Sequence, residues 1–387
     1  MPPMDERATR KPLTYPPSPK GKTPRKDPAP APLSETGPEK LLLFPEKLKH
    51  LMDAMKAAPF VEPSGGPYPV SVELSLTYRC NLACGFCSDQ GVRKGRDLLS
   101  PRMLRGLFRD LAKGGTRGVT IEGGGEPTLS PHFPEAVGLA ASEGLGLGLI
   151  TNGLAPFPKG LDPGLYGRFQ WIRVSLDASD EGGFLAIKGA KGFARTLDNI
   201  GLLAERAEGA VIGVGYVLTS QNSDPDKLFA LCARLKAMGT VSYLSIRPVV
   251  DHPELEAAGS LDPEAGPLAA LRQLSGDGFR VDLHALSDNA PAGNLSLPCV
   301  AHGLSAVIGA EGNVWLCGRL NADPSFSPMG NLASETFGDI WAGERRRSQA
   351  IDAADPAFCE KSCPRCRMTK YNRLLFQASR LKTPDFI

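Results

Sequence analysis

The sequence predicts an α/β protein built on a parallel sheet, and three observations carry that prediction. Between Val70 and Ser287, six strand candidates alternate with helix candidates, a βα repeat whose crossovers make successive strands parallel. Several of those strands alternate apolar and polar residues with period two, where a strand buried on both faces would read as an apolar run. The chain has 387 residues, enough for two or three domains with real cores. Six units fit an open partial barrel or a doubly wound sheet.

The elements follow in order. Residues 1–39 read as a disordered, basic tail, because the ten prolines before position 33 leave too little apolar area to offset the entropy of ordering. Residues 40–69 hold a short amphipathic helix (Leu41, Leu42, Leu43, Leu48, Leu51, Met52, Met55) and a linker, with the helix packing on the next domain. The α/β domain takes 70–288. Its strands are expected at 70–77, 118–122, 145–151, 171–177, 210–218 and 241–247, and its helices at 101–113, 132–143, 161–167, 193–207 and 225–238. Polar residues share one strand face: Glu73 and Ser75, Thr120 and Glu122, Arg173, Ser175 and Asp177, Ser245 and Arg247. A polar interior is costly unless it is wet or holds a polar ligand, so the sheet should enclose a cavity. Gly213 and Gly215 in the fifth strand would let a ligand approach the backbone.

Net charge is +2, so no global field recruits nucleic acid or an anionic membrane. No apolar run reaches spanning length, and the N-terminus lacks the apolar core of a secretory signal. Nine cysteines, an odd and uneven set, argue for a reducing compartment with metal-bound or free thiols, and hence for a cytoplasmic protein.

Those cysteines form two groups. Cys80, Cys84 and Cys87 sit in Tyr78-Arg-Cys-Asn-Leu-Ala-Cys-Gly-Phe-Cys, at the C-terminal end of the first strand, where α/β folds bind ligands. Three thiolates this close can wrap one polynuclear site. Structural zinc would want a fourth donor, and no His or further Cys is nearby. The second group lies in 289–387: Cys299 and Cys317 bracket a hairpin pattern at 306–316, then a helical stretch at 336–347 leads to Cys359, Cys363 and Cys366. Four-cysteine zinc is the competing reading there. The last stretch, from Tyr371 to Leu381, has helical spacing and should dock on the barrel, while Lys361, Arg365, Arg367 and Lys370 should be solvated. Cys232 falls on an apolar helical stripe and reads as core.

The Cys-x3-Cys-x2-Cys loop, with Phe86 before its last cysteine and Gly124-Gly125-Glu126-Pro127 after the second strand, resembles the radical S-adenosylmethionine (SAM) superfamily. The resemblance implies a partial (β/α)6 TIM-like barrel. It implies a [4Fe-4S] cluster on Cys80, Cys84 and Cys87 with one iron free for SAM. Phe86, Gly124, Gly125, Glu126, Pro127, Asn152, Ser175 and Asp177 then stand at cofactor-binding positions. The chemistry implied is reductive cleavage of SAM to a 5′-deoxyadenosyl radical that abstracts hydrogen from an unactivated C–H. The C-terminal group is similar to the SPASM/twitch extensions of that superfamily, which implies one auxiliary iron–sulfur cluster, taken as [4Fe-4S], on Cys299, Cys317, Cys363 and Cys366, with Cys359 as an alternate ligand.

An auxiliary cluster beside a radical site suggests oxidation. The N-terminal residues are too few and too proline-rich for a peptide-recognition domain of winged-helix type, which favours a small polar, sugar- or aminocyclitol-like substrate over a peptide. Epimerisation and peptide maturation are the rival reactions, and an iron–sulfur electron carrier is the non-enzyme rival. Arg247 stands where a dehydrogenase relative places a base. A flavodoxin- or ferredoxin-like donor is the expected electron source.

Overall fold

A computed structural model describes residues 37–57, 66–89, 96–250, 252–256, 266–283, 297–323, 325–363 and 366–381. The tail before residue 37, the linker at 58–65, the boundary at 288/289, Arg365 and the side chain of Cys359 lie outside the described residues.

The sheet is a single layer of ten strands. β1 (Ser71–Leu74), β2 (Gly118–Ile121), β3 (Gly146–Thr151), β4 (Trp171–Ser175), β5 (Val211–Leu218), β6 (Tyr243–Pro248) and a short β7 (Arg280–Asp282) run parallel in sequence order. Its two edges remain apart, so the barrel is partial. Period two is visible in the burial: Val72 and Leu74 of β1, Val119 and Ile121 of β2, and Ile172 and Val174 of β4 face the helices and are essentially inaccessible.

The helices pack on that apolar face. α1 (Pro45–Lys56) precedes the sheet; α2 (Pro101–Lys113), α3 (Phe133–Ser142), α4 (Glu181–Lys188), α5 (Phe193–Arg206) and α6 (Pro225–Ala237) cross over between strands. α2 shows why the sequence made this legible. Ser100 caps it by accepting from the Met103 N–H at 3.3 Å, Pro101 opens it, and Leu104, Leu107, Phe108 and Leu111 recur on one buried stripe. The candidate helix at 161–167 is instead a 3-10 segment, Pro163–Arg168, where Gly164 and Gly167 weaken the α form. α4 was not anticipated, since Gly182 and Gly183 mask it. Asp180 caps it through the Gly183 N–H at 2.7 Å, and left-handed Gly189 ends it.

The C-terminal cysteine region is not a separate body. Its hairpin, β8 (Ser305–Ile308) and β9 (Asn313–Trp315), joins the same sheet, with β8 parallel to β1 in the register Glu73↔Val307 and a two-residue β10 (Gly330–Asn331) beyond β9. The Leu98 and Leu99 N–H groups both donate to the Ala310 carbonyl, and the Tyr78 hydroxyl donates to Glu311, so the turn of this hairpin is tied to the cysteine end of β1. The expected helix at 336–347 is two helices, Phe337–Ala342 and Glu344–Ala354, broken where Gly343 is extended.

Two packing expectations are corrected. The terminal helix Thr369–Ser379 docks on α1, not on the barrel: Leu51, Met55, Val300, Leu304, Met368 and Leu375 form a second small core between the chain ends. Gly213 and Gly215 serve the protein's own side chains. A Cβ at Gly213 would lie 2.0 Å from the Tyr243 ring, and one at Gly215 would lie 3.4 Å from Arg173 Cδ.

Candidate active site

The cavity opens at the C-terminal ends of the strands and holds about 410 Å³. Cys80, Cys84 and Cys87 line it, with Phe86, the Gly123–Glu126 loop, Asn152, Ser175 and Asp177. Thus the barrel brings together every barrel residue assigned to SAM or its cluster except Pro127, which opens a short 3-10 turn behind the loop.

The cysteine loop is held from three sides. From one, the Glu126 N–H donates to the Arg79 carbonyl at 2.8 Å; a Cβ on Gly125 would fall 2.1 Å from that carbonyl oxygen, so only glycine fits. From a second, Asn152 Nδ2 donates to Asn81 Oδ1 at 2.7 Å. From the third, the Ala83 and Gly85 N–H groups donate to the carbonyls of Lys188 and Ile187, the last turn of α4. That helix, invisible in the sequence, is therefore a wall of the site.

Glu126 is buried, and its carboxylate already accepts four hydrogen bonds: from the Thr128 N–H and hydroxyl, from Thr151 Oγ1 at 2.7 Å and from the Asn152 N–H at 2.7 Å. Burial pushes its pKa up, against the pull of these donors. The side chain fastens β2 to β3, leaving the adjacent glycine backbone to face the cavity.

Lys188 is the main residue that sequence reasoning missed. It is 2% exposed and pairs with Asp177, which is equally buried. Its ammonium also donates to the Ser175 carbonyl at 3.0 Å and lies 5.8 Å from the Phe86 ring centre. Burial opposes its charge, but Asp177, Cys84 and Cys80 outweigh that and hold its pKa above the ordinary value. Asp177, at φ 55°, also accepts from the Val217 N–H at 2.7 Å, and this left-handed turn aims its carboxylate at both partners. No simple pattern marks Lys188, since it reaches Asp177 only when α4 folds back after β4.

Burial pushes the Cys84 thiol up to about 11, against the pull of Lys188, with Cys80 and Cys87 among its electrostatic neighbours. Cys317 and Cys366 are pushed up to about 12, again by burial, and each has Cys299 and Cys363 as neighbours. The C-terminal ligand candidates Cys299, Cys317, Cys363 and Cys366 therefore meet in one place. Among the described residues no three such donors converge on a single-ion point. Zinc draws its sulfurs to about 2.3 Å from one centre, whereas a polynuclear cluster spreads its cysteines over different irons. Three and four cysteines are donor numbers that an iron–sulfur cluster takes.

The two sites share a wall. Gly318 and Arg367, each the residue after a C-terminal cysteine, line the barrel cavity with Val307 and Asn321. Arg367 is exposed, as expected, and its guanidinium also pairs with Glu73 on β1. Glu73 in turn hydrogen-bonds Glu122, whose pKa burial and then Glu73 raise well above the usual carboxylate range. Arg247 and Arg173 complete the charged wall, and Cys232 lies in the core behind it.

A parallel partial barrel with this thiol loop at its strand ends, continued into a second cysteine site, defines a class of enzyme. Residues 74–232 match the radical SAM superfamily and residues 299–367 the SPASM iron–sulfur cluster-binding domain; the chain is a radical SAM enzyme with a SPASM domain. Its cofactors are SAM, a [4Fe-4S] cluster and auxiliary iron–sulfur ligation.

Among particular relatives, the chain is 28% identical over 314 residues to the mycofactocin maturase MftC of Mycobacterium tuberculosis, covering 76% of this chain and 77% of that one. It is 31% identical over 159 residues to the PqqA peptide cyclase of Xanthomonas oryzae pv. oryzae, covering 41% and 42%. The structure of Streptococcus suis SuiB bound to precursor peptide SuiA shares the fold, with TM-score 0.57 and 16% identity over 77% of this chain and 71% of that one. These relatives overturn the preference for a small molecule over a peptide. The proline-rich N-terminal segment was a poor guide, because it says nothing about what the cavity admits. Among the described residues no helix is long and apolar enough to cross a membrane.

Proposed function

We propose that this chain is a maturase that oxidatively modifies a peptide. The observation that carries the reading is the shared wall: the residues following Cys317 and Cys366 line the same cavity as Cys80, Cys84 and Cys87. The resemblance to MftC over most of the chain, and to a peptide cyclase over 41% of it, supports a peptide as the substrate.

In this reading Cys80, Cys84 and Cys87 hold the SAM-binding cluster, and Cys299, Cys317, Cys363 and Cys366 the auxiliary one. When bound, the first supplies a carbon-centred oxidant for C–H abstraction, and the second an electron-accepting centre beside the cavity. The protein's own residues then have defined tasks. Gly124 and Gly125 present backbone carbonyls to the SAM amine, with Glu126 and Pro127 fixing the loop. Asn152 braces the cysteine loop, Phe86 covers Lys188, and Ser175 and Asp177 supply polar groups to SAM. Glu122 accepts the proton released on oxidation, since a raised carboxyl is a better-matched base near neutral pH. Arg247 is the weaker base: even with its pKa lowered to about 10, by Arg173 first and by burial second, it keeps its proton near neutrality.

The test is anaerobic turnover of the reconstituted chain with SAM and dithionite, in the presence of short peptides encoded beside its gene. The reading expects a peptide that accelerates 5′-deoxyadenosine release and loses hydrogen or more by mass spectrometry. Stimulation by sugars or aminocyclitols, with no peptide active, would contradict it.

A further inference from the structure

The cavity contains two arginines that its own carboxylates do not satisfy. Four cations line it, and two are matched: Lys188 by Asp177 and Arg367 by Glu73. Arg173 on β4 and Arg247 on β6 have no ion-pair or hydrogen-bond partner among the described residues, and the Nε of Arg173 is shut off from solvent.

Their approach is built into the sheet. β5 separates their strands, and its register places Gly213 beside Arg173 and Val217 beside Arg247. Arg173 thus starts four residues nearer the barrel floor. Its stem runs up over Gly215, where a Cβ would lie 3.4 Å from its Cδ. The bare glycine track lets one guanidinium climb towards the other. Their closeness is felt electrostatically, because Arg173 is the largest influence lowering the Arg247 pKa; Asp177 and Glu122 counter it without contact. Two converging cations in a concave, half-desolvated wall repel unless an anion lies between them. Planar guanidinium forks match a carboxylate.

We propose that Arg173 and Arg247 form the subsite that binds a carboxylate of the substrate, either a peptide's C-terminus or an Asp or Glu side chain. The inference deepens the peptide reading and rests on it. Arg173 lies one pleat deeper in β4 than Ser175, which was assigned to SAM, and this favours the substrate over the cofactor's own carboxylate.

The test uses the cluster-loaded full chain and three fluorescein-labelled pools of random decapeptides, read by anisotropy. One pool has a free C-terminus and no Asp or Glu, one is amidated with a single Asp or Glu, and one is amidated with no acid. SAM affinity is measured in parallel by equilibrium dialysis. One carboxylate-bearing pool should bind at least about tenfold tighter than the acid-free pool, and the tighter pool identifies the source. Arg173→Gln and Arg247→Gln should each erase that preference, Arg173→Lys should keep part of it, and SAM affinity should stay within about twofold. Equal binding of all three pools by the wild type overturns the subsite while leaving the peptide reading standing. A variant that loses SAM affinity but keeps the peptide preference assigns the arginines to SAM and also overturns it. Binding of no pool at all removes the peptide reading and the subsite together.

Discussion

The two cysteine groups differ in number, in neighbours and in what they face. Cys80, Cys84 and Cys87 are three donors on a loop lining the cavity, backed by the buried Lys188 cation. Cys299, Cys317, Cys363 and Cys366 are four donors, and it is the residues after Cys317 and Cys366 that reach the cavity. Three donors would leave a four-iron cluster one protein ligand short, whereas four would complete one. In the proposed assignment, one chain would build a reactive centre and a closed centre from the same side chain, by varying donor count and placement.

The largest predicted effect is at the reactive site. Cys80→Ala should abolish SAM cleavage while the C-terminal group still loads iron, checked by 5′-deoxyadenosine release and metal analysis. Persistent cleavage would break the assignment of the first group. Lys188→Gln should come next. It leaves Asp177 buried and unpaired, a loss of about 3–5 kcal/mol, to be read from denaturant unfolding of the unloaded chain. A cost near zero would mean that the pair is not buried in solution.

How much of this contrast was readable in the sequence depends on locality. Both cysteine spacings, the Gly124–Pro127 run and the period-two strands are local patterns, and each falls where the sequence indicated. α4 was hidden because Gly182 and Gly183 lower helix propensity, while its Asp180 cap and Gly189 terminus are too common to weigh alone. Arg367 with Glu73 joins segments 294 residues apart, and Lys188 reaches Asp177 only because the unanticipated α4 returns it there, so no spacing encodes either contact. The glycines of β5 looked like space for a ligand, because the sequence could not show the stems of Arg173 and Tyr243 lying over them.

Smaller effects sharpen the comparison along the shared wall. With its pKa raised by burial, Glu122 in the native state keeps a proton that the unfolded chain has lost. Its contribution to stability is therefore full at low pH and declines as pH rises from the ordinary carboxylate value through the raised one. Peptide oxidation, needing the carboxylate, should rise over the same interval. Glu122→Gln should flatten both profiles; if the turnover profile keeps its slope, another base is at work. The mildest change is Thr336→Ala. It removes a capping box with Asp339 in the C-terminal region and should cost about 1 kcal/mol without altering SAM cleavage.

The division of labour is tested most directly by a Cys317→Ser, Cys366→Ser double variant assayed anaerobically with SAM, dithionite and a responsive peptide. The account predicts that 5′-deoxyadenosine continues to form while oxidised peptide disappears. Loss of both together, or retention of both, would contradict it.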